Sequence, residues 1–354
     1  MVLSQYLLRI PYSLIWHLKK LLKIPMPIVF YTAELIDYYA FAPVLIHLKP
    51  LTLVSPNLEV RTHLKELGIP CQARNLFPRA VIMCRHSTHK FPCKSIIKIG
   101  LRHGAYHFKR LTKAANYNQF DLYMFSSTKD LEAAISIGVT CGKAIGFPRL
   151  DPALRREYTT VHISALRDKY QIQKDKACLF FCATWSKSGM SAIELWYDKL
   201  DGLKDRYNIL VSVHPWTPKA IVNHITMIDG FRLVDSSDSL PLITQTDVCI
   251  GDSSSMLAEF CALDIPIITF KTSKARRSLD EIEELIASFS LQISSFSELE
   301  EAVQALLADS NYLAEGRKRA KQIMFDNLDG SASNRAAAEI LKLIPSLAKD
   351  GTCI

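Results

Sequence analysis

The sequence predicts an α/β protein with two domains, each built around a parallel sheet. Its 354 residues are more than one compact core usually holds. With 49% hydrophobic and 22% charged residues, the composition is that of a globular protein. Short, continuous apolar runs alternate with helical patterns, which is typical of strands that are covered on both faces in βαβ units.

Five apolar runs, each ending in polar or small residues, predict the strands of a first domain over residues 1–150. These runs are Ile28–Tyr31, Leu51–Val54, Ala80–Cys84, Ser95–Gly100 and Leu122–Phe125. Helical patterns lie between several of them, for example at Glu59–Leu67 and Asp130–Ile137. The turn-rich passage 145–152 is predicted to link the first domain to the second.

A second alternating set predicts another domain over residues 151–330. Its predicted strands are Ala177–Cys182, Tyr207–Val213, Phe231–Val234, Val248–Ile250 and 265–270, and its later helices are Leu279–Ala287, Phe296–Leu307 and Asn311–Met324. Residues 331–354 are predicted to form a last helix, over 334–348, and a tail.

The most informative stretch of the second domain is 247–270, which predicts a strand, a polar turn, a helix at about 255–263 and another strand. The turn contains Asp252 and the three serines Ser253–Ser255, and Glu259 follows one turn into the helix. Hydroxyl groups and free N–H groups at a helix start suit a phosphate. They equally suit simple helix capping, so the turn alone leaves both functions open.

Other polar residues also follow predicted strands. Thr184, His214 and Asp235 do so in the second domain, and His103 does so in the first. Ligands of parallel α/β sheets bind at the carboxyl ends of the strands. If the two sheets face each other, these residues and the Asp252 turn border one cleft.

Charge and cysteine usage narrow the possible ligands. A net charge of +8 is compatible with an anionic substrate or membrane surface, and is too diffuse to indicate nucleic acid. The nine cysteines form no C-x-x-C pair and are typical of buried side chains in a reducing compartment. The cluster Cys84, His86, His89 and Cys93 does not have the spacing of a common zinc site, so no metal is predicted there.

Residues 3–24 predict a basic amphipathic helix. Leu14, Leu18, Leu21 and Leu22 fall on one face, while Lys19, Lys20 and Lys23 fall elsewhere and Trp16 lies nearby. No uncharged run approaches the length of a membrane span, and a secretory signal is not expected. Two alternatives remain: the helix packs on its own domain, or it lies on an anionic membrane.

Six short motifs occur in an order that carries a family resemblance. They are Arg102-His103-Gly104 with Lys109, Gly146-x-Pro148-Arg149-x-Asp151, Thr184-Trp185, His214-Pro215, Asp247-x-x-Ile-Gly-Asp252-x-Ser254-Ser255, and Asp329-Gly330-Ser331-Ala-Ser333. Together they resemble the CDP-glycerol glycerophosphotransferase family of teichoic-acid-type polymerases and primases. The sequence departs from the family pattern at Ala183, Gly251 and Ser253.

The resemblance implies a GT-B-like fold with two facing Rossmann-like domains, the nucleotide being held mainly by the second. It implies transfer of glycerol phosphate or a related alditol phosphate from a CDP-linked donor to a surface polysaccharide or lipid-linked acceptor, with release of CMP. Such acceptors in cell-envelope synthesis, whether teichoic acid or capsule, imply a cytoplasmic enzyme that is peripheral on the inner face of the membrane. Two alternatives are a GT-B glycosyltransferase or epimerase using a sugar nucleotide, and a non-catalytic GT-B protein that binds a nucleotide or polymer.

The same resemblance implies roles for individual residues. His103 and His214 are the expected catalytic residues. His103 is expected to act as the base, since an ordinary histidine pKa of ~6.5 suits that task, and His214 is expected to donate a hydrogen bond to the donor phosphates. The other expected substrate-binding residues are Gly104, Lys109, Arg149, Asp151, Thr184, Asp252, Ser253, Ser254, Ser255 and Glu259. Because the sequence contains no D-x-D pair, neither a metal ion nor another cofactor is expected.

Overall fold

A computed structural model describes most of the chain. The described residues are 3–106, 108–228 and 231–349, with side chains from residue 9 onward. Within these ranges, no helix has both the length and the apolar character needed to cross a membrane.

Twelve strands are present in the described ranges. They are β1 Ile28–Tyr31, β2 Thr52–Val54, β3 Cys71–Gln72, β4 Ala80–Met83, β5 Ile97–Leu101, β6 Leu122–Phe125, β7 Gly142–Ala144, β8 Cys178–Cys182, β9 Asn208–Ser212, β10 Val248–Gly251, β11 Ile267–Phe270 and β12 Leu291–Ile293.

Fifteen α-helices accompany them in the same ranges. They are α1 Leu3–Leu21, α2 Leu35–Leu45, α3 Leu58–Glu66, α4 Ala114–Tyr117, α5 Thr128–Ser136, α6 Asp151–Leu154, α7 Thr160–Lys169, α8 Ile193–Trp196, α9 Lys219–Met227, α10 Ser239–Ile243, α11 Met256–Ala262, α12 Asp280–Phe289, α13 Leu299–Ala308, α14 Ala314–Met324 and α15 Ala332–Leu343.

The chain divides into two compact units. The N-terminal unit comprises 1–103, 112–151 and 331–354, and the C-terminal unit comprises 104–111 and 152–330. Two segments are thus grouped differently from the division predicted from the sequence, which placed domain boundaries at residues 150 and 330. The last helix belongs to the N-terminal unit, and the loop 104–111 belongs to the C-terminal one.

The N-terminal unit contains a seven-stranded sheet in the order β3-β2-β1-β4-β5-β6-β7, and all its pairings are parallel. The five strands predicted for this domain are found within two residues of their predicted bounds. The short edge strands β3 and β7 were not predicted, because two or three residues are too few to show a pattern. Helix α15 contributes Ala336 and Ile340 to the core that also contains Phe41 and Val44 of α2.

Helix α1 packs on the N-terminal unit through one face and exposes the other. Trp16 is only 2% exposed, and its Nε1 donates a hydrogen bond to the Pro78 carbonyl at 2.8 Å. The Tyr12 hydroxyl donates to the Leu76 carbonyl. The leucine face remains exposed, with Leu14 at 66%. This side of the helix therefore packs on its own domain, as one of the two alternatives predicted. Membrane binding by the exposed face stays a prediction, and the buried ring of Trp16 is not available for it.

The C-terminal unit contains a five-stranded sheet in the order β12-β11-β10-β8-β9, again with parallel pairings. Its core includes Leu179, Phe181 and Ile250 from adjacent strands. Because the sheet is parallel, the carboxyl ends of β8, β9 and β10 lie on one edge, and the loops that follow them are neighbours.

The predicted strand Phe231–Val234 is wrong, since in the described ranges this run makes only one β-bridge, between Leu233 and Val211. Arg232 is exposed and interrupts the apolar run, so no ladder forms. Asp235 is accordingly not at a strand end of this sheet. Its carboxylate pairs with Lys169 Nζ at 2.7 Å.

Candidate active site

The turn between β10 and α11 is organised by the carboxylate of Asp252. This buried group accepts hydrogen bonds from the Thr184 backbone N–H at 3.0 and 3.1 Å and from the Ala192 N–H at 3.0 Å. Asp252 therefore holds the loop that follows β8 against the turn that follows β10. Asp252 was predicted to bind substrate. In the structure, its carboxylate fixes the loop that carries Thr184 to the turn that carries the three serines.

The three serines of this turn have different positions. Ser253 Oγ donates to the Met190 carbonyl at 3.3 Å, and Ser254 Oγ accepts from the Met256 N–H at 3.4 Å. Ser255 is the residue that precedes α11, and its side chain makes no capping hydrogen bond. Simple capping, the alternative function for this turn, is thus provided weakly by Ser254 and not by Ser255.

Loop 104–111 lies against the same turn within the C-terminal unit. A Cβ at Gly104 would be 2.8 Å from Ser255 Oγ, so a larger residue here would have to displace the Ser255 side chain. Farther along the loop, Lys109 Nζ donates to Thr184 Oγ1 at 2.5 Å. Burial lowers the pKa of Lys109, and the nearby Asp252 carboxylate opposes that shift. The structure thus brings together four of the predicted site residues, namely Gly104, Lys109, Thr184 and Ser255.

His214 follows β9, and the backbone fixes its tautomer. Its Nδ1 lies 3.1 Å from the backbone N–H of Trp216. A backbone N–H can only donate, so Nδ1 accepts and the neutral ring carries its hydrogen on Nε2. In the neutral ring, the hydrogen-bond donor of His214 is therefore Nε2, the kind of group that can bind a phosphate.

An aromatic pair adjoins His214. The Trp216 ring lies 5.2 Å from the His214 ring and 5.3 Å from the Trp185 ring, centroid to centroid. Trp216 is 55% exposed. An exposed aromatic face of this kind can stack on a nucleobase. Neither tryptophan was predicted to have this role, although Trp185 belongs to one of the sequence motifs and Trp216 directly follows another.

His103 follows β5 in the N-terminal unit, and its tautomer is the opposite one. Its Nδ1 lies 3.2 Å from the Cys84 carbonyl. A carbonyl can only accept, so Nδ1 carries the hydrogen and Nε2 holds the lone pair. The side chain is 41% exposed. His103 is therefore set up to take a proton at Nε2, as a general base must.

One further predicted site residue, Asp151, lies where the chain leaves the N-terminal unit. The carboxylate of Asp151 accepts hydrogen bonds from the N–H groups of Ala332 and Ser333 at the start of α15. At Gly146, with φ at +86°, a Cβ would lie 2.9 Å from that of Ala332. The two motifs that contain Asp151 and Ser333 thus join each other.

Arg149 and Glu259 are buried residues, 3% and 2% exposed respectively. Glu259 lies inside α11, one helical turn from Ser255. Their roles in substrate binding stay predictions.

The Cys84–Cys93 segment is used for packing. His86 stacks on Tyr123 at 5.4 Å between ring centroids, and both cysteines are buried. Over the described ranges, no three His, Cys, Asp or Glu side chains are grouped so that they could hold a metal ion.

Two charged residues near His103 were not predicted from the sequence. Asp37 Oδ1 lies 3.7 Å from His103 Nδ1, and Arg85 Nε donates to both Asp37 oxygens at 2.9 Å. Asp37 lies in the first turn of α2. That helix is apolar on nearly all sides, so its sequence has no periodicity that would have marked its start or drawn attention to this carboxylate.

Comparison with known proteins supports the resemblance drawn from the motifs. A model of the family described as CDP-glycerol:poly(glycerophosphate) glycerophosphotransferase matches residues 96–342. A teichoic acid poly(ribitol-phosphate) polymerase of Bacillus spizizenii is 24% identical over 217 residues, which are 56% of this chain and 33% of that protein. The chain therefore spans about a third of this curated relative's length.

Solved structures show the same fold at low sequence identity. The wall teichoic acid polymerase TagF, in a variant soaked with CDPG, has a TM-score of 0.70 at 14% identity, covering 96% of this chain and 98% of that one. An S. aureus MnaA–UDP structure has a TM-score of 0.61 at 14% identity, covering 93% and 100%. These likenesses confirm the predicted GT-B-like α/β fold. Since the family model spans more than half of the sequence, the chain belongs to the CDP-glycerol:poly(glycerophosphate) glycerophosphotransferase family.

Proposed function

We propose that this protein transfers glycerol phosphate or a related alditol phosphate from a CDP-linked donor to a hydroxyl of a polysaccharide or lipid-linked acceptor. Membership of the family supports the general reaction. The observation that carries the proposal is the pair of opposite histidine tautomers. The backbone gives His103 a lone pair on Nε2 and gives His214 a hydrogen on Nε2. One ring is prepared to accept a proton, and the other to bind an anion.

In the proposed reaction, the acceptor hydroxyl oxygen attacks the β-phosphorus of the donor. The bond from that phosphorus to the bridging oxygen breaks, and CMP leaves with the electron pair and that oxygen. His103 Nε2 takes the proton of the attacking hydroxyl and later releases it to solvent. General-base assistance of this kind typically contributes ~10²–10⁴-fold to the rate.

The donor diphosphate is proposed to bind at the turn before α11. His214 Nε2–H, the Ser255 hydroxyl and the backbone N–H groups at the helix start are the proposed donors. Helix α11 has seven residues, so its dipole is a small contribution and the individual hydrogen bonds matter more. Lys109, held by Thr184, adds a positive charge close to this turn.

We propose that these protein groups neutralise the phosphate charge without a metal ion or another cofactor. The basis is the lack of a D-x-D pair in the sequence, together with the cationic and hydroxyl groups around the turn. Phosphoryl transfer depends mainly on positioning and on charge stabilisation, which fixed hydrogen-bond donors can supply.

A donor panel tests this function and separates it from the alternatives. CDP-glycerol, CDP-ribitol and UDP-sugars are each incubated with the full chain and a hydroxyl acceptor, with and without EDTA. Consumption of a CDP-alditol that depends on His103 and persists in EDTA is the expected result. Consumption of a UDP-sugar alone supports a glycosyltransferase or epimerase. Nucleotide binding without any turnover supports a non-catalytic protein.

The exposed face of α1 is proposed to bind an anionic membrane surface, which would place the protein in the cytoplasm at the inner face of the membrane. Leu14, Leu18 and Leu21 are exposed by 66%, 53% and 78% on this helix. Lys20 and Lys23 are exposed on the same segment. Apolar side chains beside basic ones favour an interface with anionic head groups.

A further inference from the structure

A buried carboxylate lies directly behind His103 in the N-terminal unit. Asp37 is 1% exposed, and its Oδ1 is 3.7 Å from His103 Nδ1, the ring nitrogen that also faces the Cys84 carbonyl. The two residues are far apart in the sequence. Asp37 belongs to α2, which lies outside the family-matched residues 96–342.

Asp37 is itself held rigidly. Its Oδ2 accepts hydrogen bonds from the N–H groups of Ala33 and Glu34 at 3.1 and 3.2 Å, at the start of α2. Arg85 Nε donates to both carboxylate oxygens, and Arg85 Nη2 pairs with Glu34 at 2.5 Å. The carboxylate therefore has a fixed position relative to the His103 ring.

We propose that Asp37 is a positioning residue for the reaction: it acts with the Cys84 carbonyl to keep the hydrogen of His103 on Nδ1, and it stabilises the imidazolium that forms when Nε2 takes the acceptor's proton. This inference deepens the proposed function and rests on it. Asp37 contacts neither substrate nor reacting atoms in this assignment. It acts through the His103 ring.

The effect of Asp37 on His103 is electrostatic. A neutral imidazole becomes positive during proton transfer, and a carboxylate about 4 Å away favours the charged form. The Cys84 carbonyl can fix the tautomer but carries no net charge, so it cannot supply the same stabilisation. Arg85 moderates the effect of Asp37, because its guanidinium lies against the same carboxylate.

The charged groups around His103 set the direction of its titration. Burial lowers the pKa of His103, Asp37 raises it, and Arg85 and Arg102 lower it. The positive charge of Arg102 is paired with the carboxylate of Asp130, which lies 2.8 Å from Arg102 Nη1. Removing Asp37 and removing Arg85 must therefore shift the pKa of His103 in opposite directions.

The first test measures His103 directly, so it does not depend on turnover. The full chain is labelled with ¹⁵N-histidine, and the His103 signals are identified by their loss in His103→Gln. Wild-type protein should show hydrogen on Nδ1. Asp37→Asn should lower the pKa of His103 and Arg85→Gln should raise it. If the two substitutions merely disturbed packing, the pKa of His103 would shift in the same direction in both variants.

The second test measures catalysis with a CDP-alditol donor. Asp37→Asn should lower kcat by at least about tenfold, with the donor KM little changed, because general-base assistance is worth ~10²–10⁴-fold in total. Glu34→Gln is the matched control, since Glu34 pairs with the same arginine and does not contact His103. It should keep kcat within about threefold of wild type.

Three outcomes overturn the inference. They are hydrogen on Nε2 of His103 in the wild type, an unchanged pKa of His103 in Asp37→Asn, and equal losses of kcat in Asp37→Asn and Glu34→Gln. If no CDP-alditol is consumed by the wild type, the proposed function fails. The titration still decides whether Asp37 controls His103.

Discussion

Asp151 and Ser333 are joined by two hydrogen bonds between buried groups, although 182 residues separate them in the sequence. One oxygen of the Asp151 carboxylate accepts from the Ser333 backbone N–H at 2.7 Å and from its hydroxyl at 2.5 Å. Both residues are fully buried. Because the chain leaves the N-terminal unit after Asp151 and returns at residue 331, this contact ties together the two junctions. The pairing gives the G-x-P-R-x-D and D-G-x-x-S motifs a shared structural role.

Replacing Asp151 should therefore weaken folding more than donor binding. Asp151→Ala leaves buried N–H and O–H donors without their acceptor, and each such group costs about 1–3 kcal/mol. We expect the free energy of unfolding to fall by about 2–4 kcal/mol in urea denaturation. Asp175→Ala, at an exposed aspartate, should change it by less than about 0.5 kcal/mol. An unchanged stability combined with lost CDP affinity would instead make Asp151 a ligand.

The donor site can be tested at His214. His214→Ala removes the Nε2–H donor and should weaken CDP binding by roughly 1.5–3 kcal/mol, the value of a hydrogen bond to a charged group. Ser254→Ala with Ser255→Ala should also weaken it. Calorimetric titration with CDP measures both. His224→Ala is the matched control, since His224 is an exposed histidine on α9 and should bind CDP normally. Unchanged affinity in the serine double variant would leave that turn with a purely structural role.

The activity should have an acid limb set by His103. A general base must be neutral, so activity falls as pH falls through its pKa. Because burial lowers the pKa of His103, that limb should lie below the ordinary histidine value of ~6.5. The unfolded chain binds more protons than the native one in that window, so stability should also decrease on acidification. The profile of kcat/KM against pH checks the first point, and an acid limb above the ordinary value contradicts it.

Membrane binding should depend on the leucine face of α1 and not on its buried side. Leu14→Gln with Leu18→Gln and Leu21→Gln should abolish co-sedimentation with anionic vesicles while leaving the fold intact, because all three side chains are exposed. Binding by the wild type should weaken with salt, as each basic residue near the surface contributes about 1 kcal/mol.

A matched control is available on other helices. Ile135, Val161 and Met227 are exposed by 56%, 80% and 83%, so the same change to glutamine at these three positions removes similar apolar surface. This control should bind vesicles like the wild type. Deleting residues 1–24 is a poorer test, because it would remove the packed ring of Trp16. Full binding by the α1 triple variant would exclude this face as the anchor.

The sequence predicted the features that apolar patterns and positions at strand ends indicate, namely the strands and the polar residues that follow them. The buried strands β1, β4 and β10 are continuous apolar runs, and His103 and His214 follow strands whose positions were clear. It could not predict contacts between distant segments. The place of Asp252 in a turn predicted a substrate-binding residue, but it did not reveal that the carboxylate accepts hydrogen bonds from the N–H groups of Thr184 and Ala192. Likewise, the partnership of Asp37 with His103 depends on how the start of α2 lies against the residues that follow β4 and β5, which no local pattern records.

The nucleotide product tests the central claim most directly. After incubation of the full chain with CDP-glycerol or CDP-ribitol and a hydroxyl acceptor, ³¹P NMR and ion-exchange chromatography identify the nucleotide released. Attack at the β-phosphorus predicts CMP, formed in equal amount with an alditol-phosphate ester of the acceptor, and predicts that His103→Ala forms neither while still binding CDP. Release of a nucleoside diphosphate, or CMP formed at the wild-type rate by His103→Ala, would contradict the account.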